Sequence, residues 1–147
     1  MNIIFMHSEE EMQKHKINRI SFVDFLFKHL DKFGDSKEAI NEAIEYAFST
    51  DSGRGGFISA AEIDGETVGE LLMIKTGMKK YIPENILVYV AVDSSKRGKG
   101  IGKELIEKSI AHAEGNIALH VEYENPAKRL YERMGFKSKY AEMRYER

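Results

Sequence analysis

Residues 86–103 read Ile-Leu-Val-Tyr-Val-Ala-Val-Asp-Ser-Ser-Lys-Arg-Gly-Lys-Gly-Ile-Gly-Lys, and this segment carries the strongest signal of the fold class. Its first seven residues form an uninterrupted apolar run, which has the length of a β-strand buried on both faces. From Ile101 to Ala113 apolar residues recur at helical spacing, and residues 116–123 again read as a strand. A strand, a helix and a second strand in this order predict a right-handed crossover between two parallel strands.

The turn at residues 96–103 combines three glycines with four basic residues. Glycines let the backbone approach a ligand closely, and free N–H groups at the start of a helix attract anions. The turn therefore predicts a phosphate or pyrophosphate site, although such turns also occur in plain strand–helix packing with a solvated basic surface. The P-loop and the dinucleotide-binding fingerprint do not fit, because each requires a glycine where Lys103 stands.

The pattern that fits is Arg97-x-x-Gly100-x-Gly102, which resembles the R/Q-x-x-G-x-G/A signature for acyl-CoA binding in the GNAT family of N-acetyltransferases. Downstream, Asn125 and the segment Tyr131-x-x-x-Gly135-Phe136 resemble the end of the family's motif region. One departure is Lys128, which stands three residues after Asn125, where the family often has alanine.

This resemblance implies a GNAT-like acyl-CoA N-acyltransferase fold of the mixed α/β class. Such a fold has a central, mostly antiparallel sheet with one parallel pair, flanked by helices. The implied activity is an acetyl-CoA-dependent transfer of an acetyl group directly to a primary amine of a small molecule, peptide or protein. Two alternatives stay open: a non-catalytic module that binds or senses acyl-CoA, and an interaction domain whose basic turn contacts RNA or another acidic partner.

The resemblance also implies which residues contact acetyl-CoA. A strand edge near the end of the 86–92 run would pair with the pantetheine arm, the turn would hold the pyrophosphate, and the helix after Asn125 would complete the site. The implied cofactor-binding residues are Val90, Ala91, Val92, Arg97, Gly98, Lys99, Gly100, Ile101, Gly102, Lys103, Asn125, Lys128 and Tyr131. Asn125 is equally well explained as a helix cap before Pro126.

Three catalytic roles follow from direct transfer to an amine. Tyr131 is the implied general acid for the leaving thiolate, with an ordinary tyrosine pKa near 10, and a backbone N–H near Val92 is the implied oxyanion donor. The general base is open, with His120 preferred because histidine side chains ordinarily titrate near neutral pH. His120 and Glu122 share one face of the predicted 116–123 strand with Glu124, Glu70 lies on the second hairpin strand, and a water relay is a further alternative.

The remaining elements follow from local patterns. Residues 2–6 read as a strand, the Ser8 to Glu11 spacing as a capping box, and the segments 22–33 and 37–48 as two helices separated by Gly34-Asp35-Ser36. Asp64-Gly65 between two strand-like runs predicts a hairpin, and residues 136–145 read as a short extended segment, the last predicted strand. We expect residues 1–147 to form a single domain.

Composition restricts the class of protein further. Of the 147 residues, 22 are Lys or Arg and 24 are Asp or Glu, a balance that does not favour a nucleic-acid partner. Cysteine is absent, which excludes a cysteine nucleophile and cysteine-ligated metals, and we expect no metal at all. Without an apparent signal peptide or membrane segment, we expect a cytoplasmic protein. The short segment after Phe136 predicts an open acceptor side that a second copy, as a homodimer, would complete.

Overall fold

The computed structural model describes residues 1–147, with helices and strands interspersed along the chain. The strands are β1 (Asn2–Met6), β2 (Gly56–Ile63), β3 (Glu66–Lys75), β4 (Asn85–Val92) and β5 (Ile117–Leu119). The helices are α1 (Glu9–Lys14), α2 (Arg19–Leu30), α3 (Lys37–Phe48), α4 (Ile101–His112) and α5 (Ala127–Arg133). Short 3₁₀ turns at Asp31–Phe33 and Ser94–Lys96 follow α2 and β4. None of the helices is long and apolar enough to span a membrane.

The five strands form one sheet in the order β1-β2-β3-β4-β5, which is also their order along the chain. The first four strands pair antiparallel, whereas β4 and β5 pair parallel with α4 as the crossover helix. The β2–β3 hairpin turns at Asp64 and Gly65, whose positive φ angles of 51° and 79° are those of a type I′ turn. The predicted fold class, a mostly antiparallel mixed sheet with one parallel pair, is confirmed.

The sheet separates two apolar cores. On one face α2 and α3 pack against the sheet, through buried residues that include Phe22, Leu26, Ile40, Ile44, Ile58 and Leu72. On the other face α4 and α5 pack through Ile101, Leu105, Ile106 and Tyr131, together with Phe57, Leu71 and Met73 of the sheet. The fold therefore presents two different environments to a ligand at the carboxyl end of β4, one on each face.

The N-terminal helical region differs from the sequence prediction, which places two helices before the hairpin where the structure has three. Ser8 does cap α1, because its hydroxyl accepts a hydrogen bond from the Glu11 N–H at 3.1 Å. The chain then leaves the helix at Lys16, whose φ is 57°, and Asn18 caps α2. The helix predicted over residues 22–33 ends at Leu30, because Asp31 adopts a φ of 51°.

Two strand predictions near the C-terminus are wrong. The strand predicted over residues 116–123 is limited to Ile117–Leu119, because β4 and β5 diverge and the chain turns at residues 122–125 to begin α5. Residues 136–145 form no strand, and Tyr140, Met143 and Tyr145 are exposed. A strand needs a partner edge for its backbone, and the three-residue β5 offers little of one.

Candidate functional site

The edge of β4 that faces β5 is open over most of its length. Parallel pairing joins Asn85–Leu87 to Ile117–Leu119 and then stops, so that Tyr89–Val92 pair with β3 alone. Asn85 holds the closed end, because its Nδ2 donates to the Glu114 carbonyl at 2.6 Å and to the Asn116 carbonyl at 3.2 Å. The two strands therefore diverge from a fixed apex, and a slot with free backbone groups opens between them.

The backbone groups that face this slot can be assigned from the pairing. The Asp93 N–H donates to the Val68 carbonyl of β3 at 2.9 Å, so Asp93 faces β3. Successive residues of a strand direct their backbone N–H and C=O groups to opposite edges. The backbone groups of Val90 and Val92 therefore face the slot, and those of Ala91 face β3. The backbone groups of Ala91 therefore pair with Glu70 of β3 and are directed away from the slot.

The glycine-rich loop, residues 97–100, leads into the first turn of α4. Gly100 is the N-cap residue with a φ of 79°, and the first intrahelical bond runs from the Glu104 N–H to the Gly100 carbonyl at 3.1 Å. The N–H groups of the four residues from Gly100 to Lys103 precede that bond and have no backbone or side-chain partner. A Cβ at Gly98 or Gly100 would meet no atom within 4 Å, so the space above the loop is open.

Gly102 has a different role from the two glycines of the loop. A Cβ at this position would lie 3.3 Å from Cγ2 of Val92 and 3.9 Å from Cδ2 of Leu130. Gly102 therefore lets the start of α4 lie close to the end of β4 and to α5. The Ile101 side chain is buried beneath the loop, so only its backbone can contact a ligand. Lys99 and Lys103 are exposed beside the open space.

The Arg97 side chain is directed at α2 and not at the space above the loop. Its Nη2 donates to the His29 carbonyl at 2.7 Å, and its Nε donates to the Val92 carbonyl at 3.4 Å. The Nδ1 atom of His29 in turn accepts a hydrogen bond from the Ser94 N–H at 3.1 Å. The sequence analysis missed His29, because the segment 22–33 reads as an apolar core helix and nothing in it signals a contact 65 residues away.

Tyr131 lies on α5 within the apolar core beneath α4. Its ring packs edge-on against Phe136 with 5.8 Å between ring centroids, and 8% of the residue is exposed. Its hydroxyl makes no hydrogen bond within the chain and so remains free for a ligand. Burial raises the pKa of Tyr131 to about 12, so the expectation of an ordinary tyrosine pKa is wrong. The cause is the apolar surroundings, which disfavour the phenolate.

Two further predicted residues lie at the start of α5. Asn125 acts as a helix cap, because its Oδ1 accepts a hydrogen bond from the Ala127 N–H at 2.9 Å. This bond leaves the Nδ2 of Asn125 without a partner in the chain. Lys128 is half-buried and forms an ion pair with Glu132 at 3.4 Å. Both residues line a surface cleft together with Tyr123, Pro126 and Arg129.

Glu70 is the buried acid among the candidate bases. It is 3% exposed, and its Oε2 has no hydrogen-bond partner. Its cross-strand neighbours are Ala60 on β2 and Ala91 on β4. Their methyl side chains offer the carboxyl no hydrogen-bond partner. Burial raises the pKa of Glu70 well above the ordinary carboxyl value. A buried carboxyl without a partner is costly to the fold and is typical of a functional position.

Glu70 faces the core formed by α2 and α3. A Cβ at the preceding residue, Gly69, would contact Leu105 and Ile101 of α4, so Gly69 faces the opposite side of the sheet. On the face of Glu70, Tyr89 donates a hydrogen bond from its hydroxyl to Oδ2 of Asp35 at 2.6 Å. This pair joins β4 to the segment between α2 and α3, and no sequence pattern signalled it.

The other candidate bases are not brought together by the structure. His120, Glu122 and Glu124 lie beyond the end of β5 in an irregular segment, and all three are exposed. The prediction that they alternate on one face of a strand is therefore wrong, because the strand ends at Leu119. Of the titratable candidates for the base, Glu70 is thus the one that is buried on a rigid strand beside β4.

Similar structures share this arrangement of strands and helices. The ribosomal-protein-alanine N-acetyltransferase from Brucella melitensis biovar Abortus 2308 has a TM-score of 0.62 at 18% identity, with 99% of each chain covered. The aminoglycoside N-acetyltransferase AAC(6')-Iy in complex with CoA has a TM-score of 0.67 at 15% identity, with 99% of this chain and 95% of that chain covered. The aminoglycoside 6'-N-acetyltransferase AAC(6')-IG from Acinetobacter haemolyticus has a TM-score of 0.67 at 13% identity, with 100% of this chain and 98% of that chain covered.

Comparison of the sequence with family models and with curated proteins gives two further results. No curated protein matches significantly. Residues 54–138, which are more than half of the chain, match the family model of the acetyltransferase (GNAT) domain. This match includes the open edge of β4, the glycine-rich loop and α5, and it shows that the chain belongs to the GNAT family of N-acetyltransferases.

Proposed function

We propose that the protein is an acetyl-CoA-dependent N-acetyltransferase that transfers an acetyl group directly to a primary amine. The observation that carries this proposal is the open edge of β4. This edge ends at the glycine-rich loop, and the unpartnered carboxyl of Glu70 lies one strand away from it. The end of one strand thereby brings together a slot for the acyl carrier, a loop that can bind its phosphates and a base for the acceptor amine.

The residues around the slot fit the chemistry of acetyl-CoA. Val90 and the Val92 N–H offer backbone groups to the amides of a pantetheine arm, whereas the Val92 carbonyl already accepts a hydrogen bond from Nε of Arg97. The unpaired N–H groups from Gly100 to Lys103 offer donors to a pyrophosphate. Lys99 and Lys103 add positive charge, and Asn125 and Lys128 border the same side of α5. When bound, acetyl-CoA supplies the acetyl group as a thioester.

Each catalytic role is assigned to a group that the chain already holds in place. Glu70 accepts a proton from the acceptor amine, directly or through one water molecule, and its raised pKa makes it a better base once it is ionised. The Val92 N–H faces the slot and is the candidate donor to a developing oxyanion. Tyr131 keeps its proton at neutral pH and can donate it from its hydroxyl to a departing sulfur.

The acceptor is proposed as a primary amine, and its wider structure is open. The similar structures include an enzyme named for a ribosomal-protein alanine and others named for aminoglycosides, so both small-molecule and peptide amines belong in a substrate screen. The face that Glu70 shares with Tyr89 and Asp35 is the proposed acceptor side. Gel filtration with and without CoA tests whether a second copy completes this side.

Release of CoA thiol during incubation with acetyl-CoA and a panel of amines tests the proposed reaction. The chain contains no cysteine, so a thiol-reactive dye reports released CoA without any background from the protein. Thiol release that depends on both the amine and the enzyme is the expected result. Tight CoA binding with no turnover on any amine would instead favour a binding or sensing module.

Replacing Gly100 by Leu is expected to weaken CoA binding at least tenfold, because the side chain would project into the open space above the loop. Gly65 provides a matched control, since it has the same φ of 79° and a Cβ added there would also meet no atom within 4 Å. Both variants carry similar backbone strain, on the order of 1–2 kcal/mol. Calorimetric titration should therefore show normal CoA affinity for Gly65→Leu and weak affinity for Gly100→Leu. Equal affinities would remove the loop from the cofactor site.

A further inference from the structure

Residues Ser94 to Arg97 form a short segment that leads into the glycine-rich loop. Hydrogen bonds attach both ends of this segment to His29 of α2. The Ser94 N–H donates to Nδ1 of His29 at 3.1 Å, and the Arg97 guanidinium donates to the His29 carbonyl at 2.7 Å. Asp93 adds a local bond, because its Oδ1 accepts from the Ser95 N–H at 2.9 Å. The position of the loop relative to α2 therefore depends on His29.

The surroundings of His29 favour the neutral form of its ring. It is 8% exposed, and its ring packs against Phe25 with 4.5 Å between centroids. Because the ring accepts a hydrogen bond at Nδ1, that nitrogen must be unprotonated. Burial lowers the pKa of His29, the positive charges of Lys28 on α2 and Arg97 in the loop act in the same direction, and Asp93 opposes them. The neutral ring that the hydrogen bond requires is thus the favoured form near neutral pH.

We propose that His29 is a positioning residue for acetyl-CoA, because its neutral ring fixes the segment that delivers the phosphate-binding N–H groups. This inference rests on the proposed function. A loop that is already ordered loses less conformational entropy when it binds a ligand, so its affinity is higher. When Nδ1 becomes protonated it turns from an acceptor into a donor that faces the Ser94 N–H, and the attachment is lost. Cofactor affinity should therefore fall as the pH drops through the pKa of His29.

Two substitutions at His29 separate the hydrogen bond from the ring. His29→Asn keeps an acceptor near the position of Nδ1 but cannot titrate, whereas His29→Leu removes the acceptor. At pH 8 we expect CoA to bind about fivefold more weakly to His29→Leu, the equivalent of one net hydrogen bond, and within about twofold of wild type to His29→Asn. In a titration from pH 8 downward, wild type should lose further affinity relative to His29→Asn as the pH falls through the pKa of His29, which burial places below the ordinary histidine value. Protonation of the CoA phosphates affects both proteins equally and cancels in this comparison.

A third variant removes the donor and leaves the ring intact. Ser94→Pro lacks the backbone N–H, and proline is tolerated in the first position of a short helical turn. The preceding residue Asp93 has a ψ of 122°, which suits a residue before proline. We expect this variant to bind CoA as weakly as His29→Leu at pH 8 and to lose no more affinity than His29→Asn as the pH is lowered.

Cleavage by trypsin supplies a readout that does not involve CoA. Lys96, Arg97 and Lys99 provide cleavage sites in the attached segment, so His29→Leu and Ser94→Pro should be cut there faster than wild type and His29→Asn should not. If wild type binds CoA but His29→Leu binds it equally well, or if His29→Asn keeps the pH dependence of wild type, the positioning role is overturned while the proposed function stands. If wild type does not bind CoA, the proposed function is overturned, and the cofactor role of His29 with it.

Discussion

Replacement of Glu70 by Gln is expected to lower the rate of acetyl transfer by about a hundredfold to ten-thousandfold, the usual contribution of a general base. Glutamine is nearly the same size but cannot accept the amine proton. The affinity for CoA should stay within about twofold of wild type, because Glu70 faces the α2–α3 side of the sheet and not the glycine-rich loop. Thiol-release kinetics and calorimetry measure the two quantities on the same preparation.

The pH dependence of the rate gives the same prediction a second readout. A base is active only when it is ionised, and burial raises the pKa of Glu70 well above the ordinary carboxyl value. The rate of wild type should therefore rise with pH through that raised pKa, and Glu70→Gln should lack this rise. Glu62→Gln on the neighbouring strand β2 is a matched control that should retain both the rate and the pH profile. A Glu70→Gln enzyme with wild-type turnover would exclude Glu70 as the base and leave Glu122, His120 or a water relay.

The Glu70→Gln substitution also has a predictable effect on the free energy of unfolding. Since the folded state binds the Glu70 proton more tightly than the unfolded chain does, the free energy of unfolding falls as the pH rises from the ordinary carboxyl pKa through the raised one. Glu70→Gln removes that fall, so the variant should gain stability relative to wild type as the pH increases. Urea denaturation at pH 5 and pH 8 measures the difference. A gain that is equal at both pH values would show that the carboxyl does not titrate in this range.

Replacement of Tyr131 by Phe is expected to slow acetyl transfer by about a hundredfold, because the departing thiolate loses its proton donor. The ring and its contact with Phe136 remain, and the hydroxyl has no partner within the chain, so stability and CoA affinity should change little. The pKa of about 12 keeps the hydroxyl of Tyr131 protonated across the range in which the enzyme can be assayed. No loss of rate from ionisation of Tyr131 should therefore be seen up to pH 10.

A control for this substitution is Tyr140→Phe, because Tyr140 is exposed and lies outside the cleft that Asn125 and Lys128 line. Its turnover should equal that of wild type. Measurement of single-turnover rates separates the chemical step from product release, which a change at the cofactor site could also slow. Unchanged single-turnover rates in Tyr131→Phe would contradict the proton-donor role and leave Tyr131 as a packing residue.

Features that depend on local sequence were predictable. The Asp64-Gly65 turn, the buried strand before the basic turn and the helix that begins near Ile101 each follow from a short pattern, and together they give the sheet topology. The glycine-rich loop was predictable for the same reason, because positive φ angles at Gly98 and Gly100 require residues without a Cβ. These are also the parts of the chain that carry the family resemblance.

Features that depend on tertiary contacts were not predictable. The strand before α5 ends at Leu119 because β5 diverges from β4, and no residue between His120 and Glu124 signals that divergence. Glu70 is buried because α2 and α3 cover its face of the sheet, and its neighbours Ala60 and Ala91 offer it no polar partner; no pattern within β3 reveals either feature. Arg97 and His29 are far apart in the sequence, so no local pattern signals their hydrogen bond. Arg97, which the motif places at the cofactor, therefore also contacts α2.

Calorimetric titration of the unmodified protein with CoA and acetyl-CoA tests whether the slot beside β4 and the glycine-rich loop bind acetyl-CoA. We predict micromolar dissociation constants for both ligands. A ligand that binds only the folded state should then stabilise it by about 2.7 kcal/mol at a hundredfold excess over its dissociation constant. If neither ligand binds at millimolar concentration and the unfolding transition does not move, the loop does not serve an acyl-CoA site and the proposed mechanism is contradicted.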